Sequence, residues 1–111
     1  MKDRVKKYLT DILIAITRIE SFVADTNGFE KYQADIKTKS AVERQLAIIG
    51  EAMNKVRKED TEIAIKNAMQ IVGLRNRLIH SYDSTEDTVV WAIIVKHIPN
   101  LKREIEQLLS K

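Results

Sequence analysis

Apolar residues recur along this chain mostly three and four positions apart, the period of an α-helix rather than a strand. Val5, Leu9, Ile12, Leu13, Ile16, Ile19 and Val23 form a broad stripe that predicts a helix from about Asp3 to Ala24. Asp25-Thr26-Asn27-Gly28 supplies its stop, because Asn and Gly accept the left-handed backbone that ends helices. Phe29 to Ile36 reads as a short helix or an ordered loop, with Phe29 and Tyr32 covering the core. Ser40-Ala41-Val42-Glu43 fits a capping box, although the helix it opens could begin as early as Asp35. Val42, Leu46, Ile49, Met53 and Val56 then follow at spacings of 4-3-4-3, the seam of a helix bundle. Gly50 lies inside this helix at a cost of about 1 kcal/mol against Ala, which points to a close helix approach.

Lys55 to Asp60 is polar and reads as the next connection. A further helix is predicted from about Thr61 to Tyr82. Ile65, Met69, Val72 and Ile79 form one of its stripes, and Ile71, Leu74 and Leu78 another. Ser84-Thr85-Glu86-Asp87 reads as a capped start, its two carboxylates complementing the helix dipole. Val89 to Val95, taken alone, could be a buried strand, but Ile98, Leu101, Ile105 and Leu108 continue a helical stripe from Ile94. Pro99 interrupts that stripe and should kink the helix or open a new turn. The pattern predicts an all-α, single-domain, up-and-down four-helix bundle over residues 1–111. Val89 to Val95 is apolar all round, more than one packed face requires. A second subunit would bury the surplus, as would enclosure of this helix by the other three.

Composition narrows the chemistry. Three glycines and one proline among 111 residues agree with long helices and few turns. The 44% hydrophobic and 32% charged fractions are those of a soluble globular protein. With no cysteine, disulfides, thiolate metal sites and thiol catalysis are excluded. The N-terminal Met1 to Lys7 lacks the apolar core of a signal peptide, and the longest wholly apolar run has seven residues, too short to span a bilayer. A cytoplasmic location without membrane association is the expectation. A net charge of +3 tolerates a polyanionic partner without demanding one.

One segment concentrates reactive side chains: Arg75-Asn76-Arg77-Leu78-Ile79-His80-Ser81-Tyr82. On an ideal helix Arg75 and Tyr82 share a face, as do Asn76 and His80, four residues apart. Arg75 and His80 diverge by about 140° and would not converge on one small group within a single chain. An Arg and a His at this spacing are common by chance, and most helical arginines are solvated or ion-paired. Neither His80 nor His97 has the paired ligands of a metal site, so no metal is expected. His97 reads as a cation suited to the last turn before Pro99. Neither a Gly-rich phosphate loop nor a serine nucleophile elbow is present.

Gly73 to Tyr82 resembles the signature of HepT-like toxins, a branch of the HEPN superfamily, with its Arg-x(4)-His-x-Tyr motif and a polar residue after the arginine. The resemblance extends over nearly the whole chain. Tyr8 to Ile16 is similar to the family's first helix, Ala41 to Ala52 to its second long one, and Val90-Trp91 with Ile98 to Leu101 to its last. One departure stands out: the Pro- and Trp-containing loop often found before the motif helix is missing from Thr61 to Gln70.

The resemblance implies a homodimeric ribonuclease of a toxin–antitoxin pair that needs neither metal nor cofactor. Arg75 and His80 would be its catalytic residues and RNA its substrate. His80 titrates near neutrality and could move protons, while Arg75 could grip a phosphate bidentately. Asn76 and Arg77 would support them. Glu51 could position an arginine, and Arg44 could add to the RNA-facing charge. The resemblance further implies a nucleotidyltransferase antitoxin that transfers AMP to Tyr82. The alternatives are a non-catalytic HEPN subunit that binds nucleotide or RNA within a nucleotidyltransferase complex, and a purely structural partner subunit.

Overall fold

The computed structural model describes residues 1–63, 65, 66, 73 and 85–111, with only the backbone at 85 and 86. The protein is an all-α bundle. Helix α1 spans Asp3–Val23, α2 Phe29–Ala34 and α3 Ile36–Glu59. After the motif region α4 spans Thr85–Ala92, a π-helical turn covers Ile93–His97, and α5 runs over Ile98–Leu109.

The two long helices, α1 and α3, carry the core. Val5, Leu9, Ile12, Ala15, Ile16 and Ile19 of α1 are buried, together with Val42, Leu46, Ile49, Met53 and Val56 of α3. These are the predicted stripe and the predicted seam, except that Leu13 and Val23 sit half-buried at the rim. Gly50 is buried on the same helix. The helices run antiparallel: Arg4 reaches Glu59 at 3.2 Å, and Lys2 donates to the Glu59 carbonyl at 3.1 Å. Each fully buried Ile or Leu contributes about 1.5–3 kcal/mol. An exposed pair such as Arg4–Glu59 contributes about 0–1 kcal/mol. The seam therefore carries the stability, and the surface ion pairs set its register.

Several local expectations need correction. Helix α3 starts at Ile36, as the earlier start near Asp35 allowed, and not at the Ser40 capping box. Asp35 is its N-cap and accepts from the Thr38 N–H at 3.0 Å and the Thr38 hydroxyl at 2.6 Å. Hydrogen bonding to Thr38 holds the Asp35 carboxyl below its ordinary range. The same helix continues through Lys55–Glu59, read as a connection from its polarity, because Val56 is still in the core. The helix expected from Thr61 does not begin there. Thr61 and Glu62 form a turn in which Asp60 Oδ1 accepts the Glu62 N–H at 3.0 Å. Most of the predicted Thr61–Tyr82 helix and the Ser84 cap lie outside the described residues.

The segment from Phe29 resolves as a short helix, with Tyr32 wholly buried and Phe29 half-buried. Gly28 takes φ +95° to turn the chain into it, a conformation that L side chains rarely adopt. The Tyr32 ring lies 5.2 Å from that of Trp91 on α4. The 89–95 run is thus partly enclosed. Val90 and Ile94 are buried, Val89, Trp91, Ala92 and Ile93 half-buried, and Val95 remains 53% exposed. Pro99 falls in the first turn of α5, where its missing N–H is least costly, and the π-helical turn lies just before it. His97 is exposed within that turn. Because the helix continues into α5, it does not sit at a free helix end as its position before Pro99 suggested. No helix among the described residues is long and apolar enough to cross a membrane.

Among the described residues, the Tyr32 hydroxyl is buried without a hydrogen-bond partner. An unmade bond at a buried donor costs about 1–3 kcal/mol. Tyr32→Phe is therefore expected to stabilise the protein by about 1 kcal/mol, read as a higher urea midpoint at unchanged m-value. A lower midpoint would show that the hydroxyl is satisfied in solution.

Candidate functional site

Of the side chains singled out in the sequence, Arg75, Asn76, Arg77, His80 and Tyr82 lie outside the described residues. Arg44 and Glu51 are described. Both are exposed on α3, two turns apart on a face away from the apolar seam. Glu51 borders a groove of about 160 Å³ between α1 and α3, lined by Tyr8, Asp11, Ile48, Glu51, Ala52 and Lys55. Arg44 stands one turn before Ile48 and outside this lining.

Charge in the groove is locally balanced. Lys55 Nζ lies 4.0 Å from Glu51 Oε1 and 5.6 Å from the centre of the Tyr8 ring. Lys7 donates to Asp11 Oδ2 at 2.7 Å. Each carboxylate thus has a lysine one helical turn away, and among the described residues the cation beside Glu51 is Lys55. Both i,i+4 pairs are readable in the sequence. The groove that makes Tyr8, Asp11 and Lys55 neighbours of Glu51 exists only once α1 lies on α3.

The described flanks of the motif region are tied to the bundle. Upstream, Ile65 is buried in the core and the Lys66 N–H donates to Glu104 Oε2 on α5 at 2.9 Å. Downstream, Lys39 Nζ donates to Asp87 Oδ2 at 3.0 Å, joining α3 to the first turn of α4 across 48 residues of sequence. The Asp87 side chain is only 8% exposed and that of Lys39 21%. Sequence reading assigns Asp87 to the helix dipole alone, whereas its carboxylate is engaged in a tertiary ion pair. No local pattern could reveal so distant a partner.

Two further groups face this pair. Burial, reinforced by the negative Asp87, pushes the Glu43 carboxyl above the ordinary carboxylate range, with Lys39 pulling the other way. Burial also raises the Tyr32 phenol, and Glu43 and Asp87 add to the effect. A second carboxylate and a buried phenol thus feel the charges of the Lys39–Asp87 pair.

Residues 12–108 match the sequence profile of the family described as ribonuclease HepT-like. The chain is 38% identical to "Probable ribonuclease HepT" of Thermococcus cleftensis, over 97% of this chain and 98% of that protein. It is 33% identical to "Putative RNase MJ0125" of Methanocaldococcus jannaschii, over 98% of this chain and 94% of that one. A 36% identity to "Putative RNase TTE0752" of Caldanaerobacter subterraneus covers 76% of each chain. No solved structure matches the chain.

The raised Glu43 carboxyl sets a pH dependence. Below the ordinary carboxylate pKa both folded and unfolded chains are protonated at Glu43, and no penalty arises. As pH rises from there through the raised folded value, the unfolded chain loses its proton first, so folding loses stability. Glu43→Gln should therefore melt at higher temperature than wild type at pH 7, with the gain vanishing below about pH 4. Thermal melts across that range check it, and a gain that persisted in acid would remove the titration as its cause.

Proposed function

Because the chain belongs to the HepT-like ribonuclease family, we propose that it is a metal-independent endoribonuclease, the toxin of a toxin–antitoxin pair. The observation that carries this reading is Arg75-Asn76-Arg77-Leu78-Ile79-His80-Ser81-Tyr82, an Arg-x(4)-His-x-Tyr motif within a chain matched almost end to end. The whole chain would form one HEPN-like domain that pairs with a second copy.

The chemistry follows from what RNA itself can do. A base removes the proton from a 2′-hydroxyl, and that oxygen attacks the adjacent phosphorus. The P–O5′ bond then breaks, and the departing 5′-oxygen takes up a proton, leaving a 2′,3′-cyclic phosphate. His80, with an ordinary pKa near 6.5, is suited to moving these protons. Arg75 remains charged and meets the growing phosphorane charge with two parallel N–H donors. Asn76, four residues from His80, would orient the imidazole or hold a phosphate oxygen, and Arg77 would add a phosphate contact. Arg44 and Glu51 would contribute at the edge of the RNA path. Helical spacing separates Arg75 from His80 around the axis, so an arginine from one copy and a histidine from the other would complete each site. The exposed Val95 beside a half-buried apolar run is surface that a second copy could cover.

Control would fall on Tyr82. Its phenolic oxygen attacks the α-phosphorus of ATP on a partner nucleotidyltransferase, pyrophosphate leaves, and the phenolic proton passes to a base. The attached AMP adds bulk and a negative phosphate on the helix face shared with Arg75, competing with RNA for that charge.

Arg75→Ala and His80→Ala should each lower cleavage of labelled RNA by at least about a hundredfold, with melting nearly unchanged and chelator without effect on the wild type. Mixing the two variants should restore about a quarter of wild-type activity, since half the dimers would then carry one intact composite site. No restoration would place both groups in one chain. RNA binding without cleavage would make the protein a binding subunit instead.

Co-expression with a neighbouring nucleotidyltransferase should add one or more AMP masses to the Tyr82 peptide, and Tyr82→Phe should abolish the addition and escape neutralisation. An unmodified Tyr82 in a neutralised complex would mean that the antitoxin acts by occlusion.

A further inference from the structure

The Lys39–Asp87 pair is unlike the other ion pairs among the described residues. Arg4–Glu59, Lys7–Asp11, Lys55–Glu51 and Lys102–Glu20 all have at least one side chain more than a third exposed. Lys39 and Asp87 are both largely withdrawn from water. An exposed pair adds little, but a withdrawn one holds its geometry, because parting the charges strands each of them in a poor solvent. The pair is also crowded. Glu43 feels the charges of both partners, and the Tyr32 hydroxyl is buried without a hydrogen-bond partner among the described residues. A bundle in need of stability alone would be served as well by apolar groups here.

Its place in the chain suggests another role. Asp87 lies five residues after Tyr82 and seven after His80. On the other side of the motif, Lys66 is bonded through its backbone N–H to Glu104. The first polar side-chain anchor downstream of the motif, among the described residues, is therefore Asp87 on Lys39. Cleavage requires groups held to within a fraction of an ångström, and misplacement by 1 Å costs on the order of a hundredfold in rate.

We propose that Lys39 and Asp87 are positioning residues for RNA cleavage, fixing where the chain that carries His80 rejoins the bundle. The proposal rests on the reading of Arg75 and His80 as the cleaving groups, and neither Lys39 nor Asp87 touches substrate. Lys39→Ala and Asp87→Asn break the pair, and Lys39→Arg keeps the charge. Lys102→Ala removes an ion pair of the same 3.0 Å length between α5 and α1 and serves as the control.

The test measures kcat, KM and melting temperature of each variant well below its melting range, together with the NMR ring-proton resonance of His80, with His97 as internal reference. Lys39→Ala and Asp87→Asn should lower kcat about ten- to a hundredfold with KM changed less than about twofold. The same variants should move the His80 resonance and leave that of His97 in place. Lys39→Arg should recover most of both signals, and Lys102→Ala should change neither. If Lys39→Ala does not fold, the near-isosteric Asp87→Asn decides. A folded variant with wild-type kcat and an unmoved His80 resonance overturns the proposal. A wild-type protein that fails to cleave RNA overturns the functional reading alone. The His80 resonance then still decides whether the pair governs the motif.

Discussion

Everything described here hangs on the contact between α1 and α3. Twelve apolar side chains on these two helices leave water almost completely, from Val5 to Ile19 on one and Val42 to Val56 on the other. The contact holds α1 antiparallel to α3, and that arrangement sets the frame for the rest. It makes the groove beside Glu51, gives Tyr32 of α2 a core to enter, and leaves α4 and α5 a fixed surface to lie on. Polar contacts at its ends, such as Lys2 and Arg4 on Glu59, select the register without supplying much of the energy.

Against that apolar frame, the polar groups withdrawn from water among the described residues include Gln45 on α3 and a set beside α4. Asp87, Lys39, Glu43 and the Tyr32 hydroxyl meet where α2, α3 and α4 converge. Such a cluster is costly, since each charge must be matched inside a medium that solvates it badly. It is also directional in a way that an apolar patch is not. Leucines can slide over one another, but a lysine bonded to a nearly buried carboxylate has a narrow range of acceptable positions. The bundle therefore gains definition at the point where the chain returns from the motif region.

The sequence was most legible where a single periodic stripe dictates one outcome. The limits of α1 and the five-residue seam of α3 needed nothing beyond spacing, because burying that surface outweighs every local preference. It was least legible where the deciding partner is remote. Ser40 and Glu43 match a capping box on paper, yet Asp35 and Thr38 capture the first turn. Glu43, free of that role, faces Asp87 instead. Lys55 to Glu59 looked like a connection because the residues around Val56 are polar, yet Val56, the last position of the seam, keeps the helix on the core to its end. Of the candidate site, Arg44 and Glu51 are exposed on α3, while only the packing of α1 on α3 makes Tyr8, Asp11 and Lys55 neighbours of Glu51. Arg75, Asn76, Arg77, His80 and Tyr82 rest on the motif and on kinship with proteins named as ribonucleases.

The π-helical turn at Ile93–His97 has a meaning in the arithmetic of the sequence. Inward positions along the last helices are Asp87, Val90, Ile94, Ile98, Leu101, Ile105 and Leu108, spaced 3-4-4-3-4-3. This is a heptad pattern with a single stutter, and the doubled four falls on the π turn. In an unbroken α-helix eight residues overshoot two full turns by about 80°, which would carry Ile98 off the line of Val90. A wider turn of i→i+5 bonds absorbs about that much rotation and brings both residues back to one side. The π turn thus acts as a phase correction for one residue beyond the repeat. Two stretches of heptad pattern that would otherwise face different ways are made to share a core.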